Sequence, residues 1–279
     1  MQLAGKVVAV TGAASGLGRQ LAFEFARRGA VTALSDLRGD ALAATVGEVR
    51  AAGGQAGGQE VDITDREAVL AWAKWVEGTH GGAALLVNNA GVSQPNRPVE
   101  AVDHATLRRI VDVNLWGPVH ATQAFLPQLR RAPEAGIVNV ASLAGVAAFP
   151  GQAGYCMSKF GLCAFSQSLQ MEVAGSTIRV VTVIPGGIRG TRIMLNAPGY
   201  GALEAARAHD TLQGMRFVTI TAEQAASRIV RAVERDKGRV RIGADAVAVD
   251  VLARVLGSAY PKVFGPIARR MAQVTRAGG

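Results

Sequence analysis

Short apolar runs rich in valine alternate along the chain with longer stretches of helical periodicity. The runs lie at 7–10, 31–34, 85–87, 137–140 and 180–184. Apolar residues that do not alternate with polar ones predict strands buried on both faces, as in a parallel sheet. Between the runs the pattern predicts helices over about 17–28, 40–52, 65–77, 103–130 and 155–173. Thr64-Asp-Arg-Glu67 and Thr221-Ala-Glu-Gln224 have capping-box spacing and so mark helix starts. Strands joined by helices of this length make βαβ units with right-handed crossovers. The expected fold class is α/β, a doubly wound parallel sheet that binds its ligands outside the carboxyl ends of the strands.

With 279 residues, 49% hydrophobic and 18% charged, the composition is that of a globular chain and excludes a disordered one. No repeat, linker or block of like charge divides it, so one large unit over 1–243 and a modest tail over 244–279 are expected. Two cysteines, Cys156 and Cys163, cannot form a multi-disulfide scaffold and suggest a reducing compartment. No long apolar signal region opens the sequence. Residues 135–158 are uncharged for 24 positions, long enough to cross a bilayer. They contain Asn139, Ser142, Pro150, Gln152 and four glycines, which suit buried strand, loop and helix start better. A cytoplasmic location is expected.

Thr11-Gly12-Ala-Ala-Ser15-Gly16-Leu17-Gly18 follows the first strand and opens the first helix. Glycines there let the backbone turn tightly and bring a pyrophosphate up to free N–H groups, where the helix dipole favours negative charge. The spacing is GxxxGxG rather than GxGxxG, and among 34 glycines it gains weight from its place between strand and helix. Asp36 ends the second strand, 18 residues after Gly18. A carboxylate there can accept from both hydroxyls of an adenosine ribose and repel a 2′-phosphate, or it can serve as a turn or capping aspartate. Arg38 beside it is able to accommodate a phosphate. NAD(H) is therefore favoured, with NADP(H) left open.

Of three tyrosines and five lysines, only Tyr155 and Lys159 stand four apart, which on a helix places them on one face. A phenol with its usual pKa of ~10 is a poor base at neutral pH. A neighbouring ammonium is expected to lower that pKa and give a usable acid/base group. In isolation the commoner fate of such a pair is an aromatic ring packed on a lysine stem.

Taken together, the glycine turn, Asn88-Asn89-Ala90-Gly91, Asn114, Ser142, Tyr155-Cys-Met-Ser-Lys159 and Pro185-Gly186 resemble the short-chain dehydrogenase/reductase family over about residues 4–243. The resemblance implies a doubly wound fold and interconversion of a secondary alcohol and a ketone with a nicotinamide cofactor. It implies Tyr155 as general acid/base, Lys159 to lower its pKa and bind the nicotinamide ribose, Ser142 to hold the substrate oxygen, and Asn114 to anchor a relay water. It further implies Gly12, Ser15, Gly16, Leu17, Gly18, Asp36, Asp62, Ile63, Asn89, Ala90, Gly91, Pro185, Gly186 and Ile188 at the cofactor. Asn88 has a structural role at least as readily as a contact. The family's threonine after the aliphatic position is displaced, since Arg189 and Gly190 intervene before Thr191. A non-catalytic dinucleotide-binding sensor of the same fold is the competing class, and the complete Asn114, Ser142, Tyr155, Lys159 set argues against it.

The four histidines form no ligand-like cluster, and with two cysteines there is no zinc signature. The cysteines are expected to pack rather than react. Residues 189–220 lack regular pattern and read as a surface loop; the resemblance implies that they cover the substrate, with Met194, Leu195 and Tyr200 as an apolar wall. The resemblance also implies a homodimer or homotetramer paired through 103–130 and 155–173, with Phe160, Leu162, Phe165 and Leu169 as the apolar face. Residues 239–279 hold seven Arg/Lys against two Asp, within a net charge of +9. Val251, Leu252, Val255, Leu256, Val263, Phe264 and Ile267 suggest amphipathic helices broken by Pro261 and Pro266. Packing on the chain's own domain with a solvated arginine face is favoured over docking on an anionic membrane. Nucleic-acid binding has little support.

Overall fold

The computed structural model describes residues 1–215, 218–263 and 265–266. Its strands are β1 (Val7–Thr11), β2 (Val31–Asp36), β3 (Gln55–Glu60), β4 (Leu85–Asn88), β5 (Ala135–Val140), β6 (Ile178–Pro185), β7 (Ile188–Arg189), β8 (Ile220–Thr221) and β9 (Arg239–Ile242). Seven of them form one parallel sheet in the order β3-β2-β1-β4-β5-β6-β9, and β7 and β8 pair separately. The strand order reverses between β1 and β4, which opens a crevice at their carboxyl ends.

The helices are α1 (Gly16–Arg27), α2 (Gly39–Ala51), α3 (Arg66–His80), α4 (His104–Val111), α5 (Gly117–Arg131), α6 (Ala153–Glu172), α7 (Ala202–Gly214), α8 (Ala222–Glu234) and α9 (Ala244–Leu256). Side chains alternate across β1. Val8 and Val10 join Leu17, Leu21 and Phe25 of α1 and Ile229 and Val230 of α8 on one face. Val7 and Ala9 join Trp72 and Val76 of α3 and Phe125 and Leu129 of α5 on the other. Both faces are covered, as continuous apolar runs require.

A polar seam crosses this core. Asn88 and Asn139 are register partners on β4 and β5. The Asn88 amide donates to Asn139 Oδ1 at 2.8 Å and to the Thr122 hydroxyl at 3.2 Å, and the Asn139 amide donates to Ser166 Oγ at 2.9 Å. All four side chains are buried, and the pairing offsets part of the cost of removing them from water, with Asn88 Oδ1 left without a partner.

Several elements differ from the sequence expectations. The capping box at Thr221 forms, with Gln224 answering the Thr221 N–H. At the other site Asp65 caps α3 by accepting from Glu67 and Ala68, while the Thr64 hydroxyl donates to Asp62. The stretch 103–130 is not one regular helix: a π-helical turn, Asp112–Trp116, separates α4 from α5. Pro118 explains the irregularity, because it has no N–H for the Asn114 carbonyl four residues back. Residues 189–220 include the 13-residue helix α7.

The tail differs too. Asp250 in α9 is buried and accepts from Arg239, Arg241 and Arg254 at 2.8–3.3 Å, and the Tyr260 hydroxyl donates to the Ala148 carbonyl at 3.0 Å. Arg241 and Arg254 reach Asp250 while their side chains stay exposed, so a partly solvated arginine face is present, and the outer face of α9 also shows Val247, Val251, Leu252 and Val255. The helix breaks at Gly257 (φ +50°), and the backbone is helical again through Pro261. Phe264 and Ile267 lie outside the described residues. On α6, Leu162 and Leu169 are buried in the chain's own core, so the exposed apolar side chains are Met157, Phe160 and Met171, with Trp116 nearby in sequence to α5.

Candidate active site

The glycine turn closes tightly between β1 and α1. Gly12 and Gly16 have φ of +69° and +53°, the left-handed region in which glycine is unstrained. A Cβ at Gly12 would stand 2.7 Å from the Ala90 Cα, and one at Gly18 would overlap the Gly12 carbonyl. Ser15 precedes α1 without capping it, and the first turn carries no acidic side chain. The helix therefore offers free N–H groups and the positive end of its dipole to the crevice, a cradle that suits a dinucleotide pyrophosphate.

Around the turn, Asn89 is a brace. Its side-chain amide donates to the Thr11 and Gly12 carbonyls at 2.9 and 3.2 Å, and the Asn89 and Ala90 N–H groups donate to the Thr11 hydroxyl. Asp36, only 8% exposed, accepts from the Ala14 N–H at 2.9 Å through one oxygen. Its other oxygen takes the Arg38 N–H at 3.0 Å and Nε at 3.3 Å, while Arg38 Nη2 donates to Ser15 Oγ at 2.8 Å. Carboxylate and guanidinium thus stand together at the end of β2.

Asp62 and Ile63 sit beyond the edge strand β3. Desolvation alone would raise the Asp62 pKa, but the Thr64 N–H and hydroxyl, with Arg109, outweigh it and hold the carboxyl below its usual range. Ile63 is buried against Gly117, where a Cβ would stand 2.5 Å from its Cδ1.

Ser142, Tyr155 and Lys159 meet where β5 ends and α6 begins. The Ser142 hydroxyl stands close enough to the half-buried Tyr155 phenol to favour its ionised form. Lys159, 3% exposed, donates to the Val140 carbonyl at 3.0 Å, and its Nζ lies 5.8 Å from the Tyr155 ring centroid. Burial pushes Tyr155 up to about 12, with the Ser142 hydroxyl opposing, and pushes Lys159 down to about 8. Desolvation is the first cause of both shifts, and it opposes ionisation of the phenol and of the amine alike. At neutral pH the phenol keeps its proton and the amine its charge.

Asn114 is fully buried in the π turn. Its side chain accepts from the Val92 N–H at 2.9 Å and donates to the Val92 carbonyl and Ser158 Oγ at 2.9 and 3.1 Å. A Cβ on Gly91 would lie 3.1 Å from Asn114 Oδ1 and 3.5 Å from Lys159 Nζ, so Gly91 borders both. Pro185, Gly186 and Ile188 turn back at the end of β6. Thr191, despite its displacement, donates to the Ile188 carbonyl at 3.3 Å, and a Cβ on Gly16 would approach its Cα to 3.2 Å.

Two contributors carried no sequence signal. Gln94, almost fully buried, accepts the Tyr155 N–H at 3.0 Å and donates to the Gly151 carbonyl, tying down the first turn of α6. Asp245 holds the turn after β6 from the far end of the chain. Both act on main-chain groups, and nothing in local spacing announces such long-range partners.

The sequence pattern of the short chain dehydrogenases is matched over residues 6–198. The chain belongs to the short-chain dehydrogenase/reductase family, oxidoreductases that work with NAD(P)(H) on small molecules and are typically oligomeric. It is 39% identical over 261 residues to SadH of Mycobacterium tuberculosis, a protein named as an oxidoreductase, covering 93% of this chain and 94% of that one. It is 33% identical to the 1-deoxy-11-beta-hydroxypentalenate dehydrogenase of Streptomyces avermitilis, over 82% of this chain and 89% of that one. A short-chain dehydrogenase/reductase from Burkholderia phymatum, solved in complex with NAD, superposes with a TM-score of 0.84 at 26% identity, over 92% and 95% of the two chains. Among the described residues no helix is long and apolar enough to cross a membrane.

Proposed function

We propose that the protein interconverts a secondary alcohol and a ketone of fairly apolar character, with NAD(H) preferred. The observation that carries this reading is the grouping of Ser142, Tyr155 and Lys159, with Lys159 Nζ 5.8 Å from the Tyr155 ring and Gly91 bordering both Lys159 and Asn114. Gly12, Ser15, Gly16, Leu17 and Gly18 would hold the pyrophosphate, Asp36 the adenosine ribose, and Asp62 and Ile63 the adenine. Asn89, Ala90 and Gly91 would line the crevice, and Pro185, Gly186 and Ile188 the nicotinamide end. The bound nicotinamide supplies or accepts the hydride.

The chain's own groups manage the proton. Ser142 and Tyr155 both hydrogen-bond the substrate oxygen, and Tyr155, protonated at neutral pH, gives its proton to that oxygen in ketone reduction. Lys159 replaces the proton's charge nearby, and Pro118 leaves the Asn114 carbonyl unclaimed by a helical donor at 118, a position suited to a relay water. Alcohol oxidation runs the proton the other way and so gains with rising pH.

The catalytic body is assigned to 1–243. The segment 189–220 is assigned to cover the substrate, a reading supported by two contacts: Ser93 N–H donates to the Ile193 carbonyl at 3.4 Å and Asn96 N–H to the Tyr200 hydroxyl at 3.2 Å. Half-buried Met194, Leu195 and Tyr200 support an apolar wall, and the Streptomyces relative is likewise named for a hydroxylated substrate. Assembly would use Met157, Phe160 and Met171. The test is a panel of ketones and alcohols read by NADH absorbance, with Tyr155→Phe beside the wild type. Loss of turnover with NADH affinity intact is expected. A variant within threefold of wild type removes Tyr155 from the acid/base role, and a wild type that binds NADH but turns over no panel member favours a dinucleotide sensor.

A further inference from the structure

Residues 185–188 link β6 to β7, and what holds them comes from later in the chain. The Gly186 N–H donates to the Ile242 carbonyl at 2.9 Å, at the end of β9. The Gly187 N–H donates to Asp245 Oδ2 at 2.7 Å. Both Asp245 carboxylate oxygens occupy the place a Cβ on Gly186 would need, and the Val218 side chain occupies that of a Cβ on Gly187. Neither glycine has a positive φ. Space, not backbone conformation, therefore requires glycine at both positions, and the carboxylate is what claims the space at 186.

Asp245 stands in the first turn of α9, where the helix dipole favours an anion. Asp250, on the same helix, already anchors α9 to β9 through Arg239 and Arg241. Docking of the helix thus has its own ion cluster, and the Asp245 carboxylate is turned to a main-chain N–H beside the site. A hydrogen bond to an ionised acceptor is short and strong, and it fixes direction as well as distance.

We propose that Asp245 is a positioning residue for the nicotinamide end of the cofactor site: it ties the 185–188 turn to α9 and so sets the main chain at Ile188. The proposal rests on the dinucleotide reading of the crevice. Its test is binding, not turnover: calorimetric titration of NADH and of ADP-ribose, which lacks the nicotinamide, into wild type, Asp245→Ala and Asp245→Asn.

Asp245→Ala is expected to weaken NADH about tenfold and leave ADP-ribose within twofold, since the adenosine half of the crevice is built by β1, β2 and α1. Asp245→Asn retains an oxygen acceptor for the Gly187 N–H and is expected to recover most of the loss, and it serves as the readout if the alanine variant does not fold. Unchanged NADH affinity in Asp245→Ala, or a parallel fall of NADH and ADP-ribose in either folded variant, overturns the proposal. A wild type that binds neither ligand overturns the dinucleotide reading and this proposal with it.

Discussion

Replacing Lys159 by methionine is expected to make the protein more stable and inactive. Methionine is unbranched and fits the channel of the lysine stem. Burial lowers the Lys159 pKa from 10.5 to about 8. At about 1.4 kcal/mol per tenfold change, holding the ammonium charged at pH 7 costs about 3 kcal/mol. Losing its hydrogen bond to the Val140 carbonyl returns about 1 kcal/mol of that, leaving a gain of about 2 kcal/mol.

The sign follows from proton linkage. Below about 8 the lysine is charged both folded and unfolded, and the full cost applies. Between about 8 and 10.5 the unfolded chain binds the proton more tightly, so wild-type stability rises with pH and the advantage of the variant shrinks. Urea unfolding of both proteins without cofactor, at pH 7 and again at ~9.5, reads this directly. A variant no more stable than wild type at pH 7, or a gain undiminished at the higher pH, would refute the reasoning.

Gly18→Ala should weaken dinucleotide binding more than tenfold and cost roughly 1–3 kcal/mol of stability, the usual range for overpacking, because the new Cβ overlaps the Gly12 carbonyl; titration and melting measure both. Wild type should bind NADH more tightly than NADPH, since one charge-assisted hydrogen bond at Asp36 is worth roughly 1.5–3 kcal/mol. Asp36→Ala, which releases Arg38 from its ion pair, should narrow or invert that preference. A wild type that prefers NADPH would mean that Arg38, not Asp36, governs the ribose.

The five apolar runs of the sequence are the five interior strands of the sheet, and the two strands it hides are the edges. β9 is Arg-Val-Arg-Ile, with one buried position. β3 reads Gln-Ala-Gly-Gly-Gln-Glu, because α2 and α3 press so close that a Cβ at Gly57 would stand 2.9 Å from Trp75 and one at Gly58 3.0 Å from Val46. Hydrophobic patterning detects burial on two faces, and these strands lack it.

The site shows the same division. Tyr155 and Lys159 are legible because helical spacing couples an acid/base phenol to an ammonium, and Ser142 is legible only through the resemblance to the family's motif set. Gln94 and Asp245 reach main-chain groups 61 and 58 residues away, a relation that exists only after folding. The π turn at Asn114 was hidden in a helical pattern, although Pro118 held the clue. Of the apolar face expected on α6, Phe160 is exposed while Leu162 and Leu169 are buried, because hydrophobicity alone does not tell an inward leucine from an outward methionine.

The Asn88–Asn139 amide pair has a consequence for how this chain can diversify. Side chains repeat every second residue along a strand, so a slip of one residue between β4 and β5 would set an amide against a valine and strand both polar groups in the core. Gly91 and Ser142 are the continuations of those two strands. The seam therefore works as a key in a keyway, fixing the height of one rim of the crevice against the other. Loops over the substrate are then free to be exchanged, lengthened or re-aimed while the distance over which the chemistry must act stays set from within the sheet.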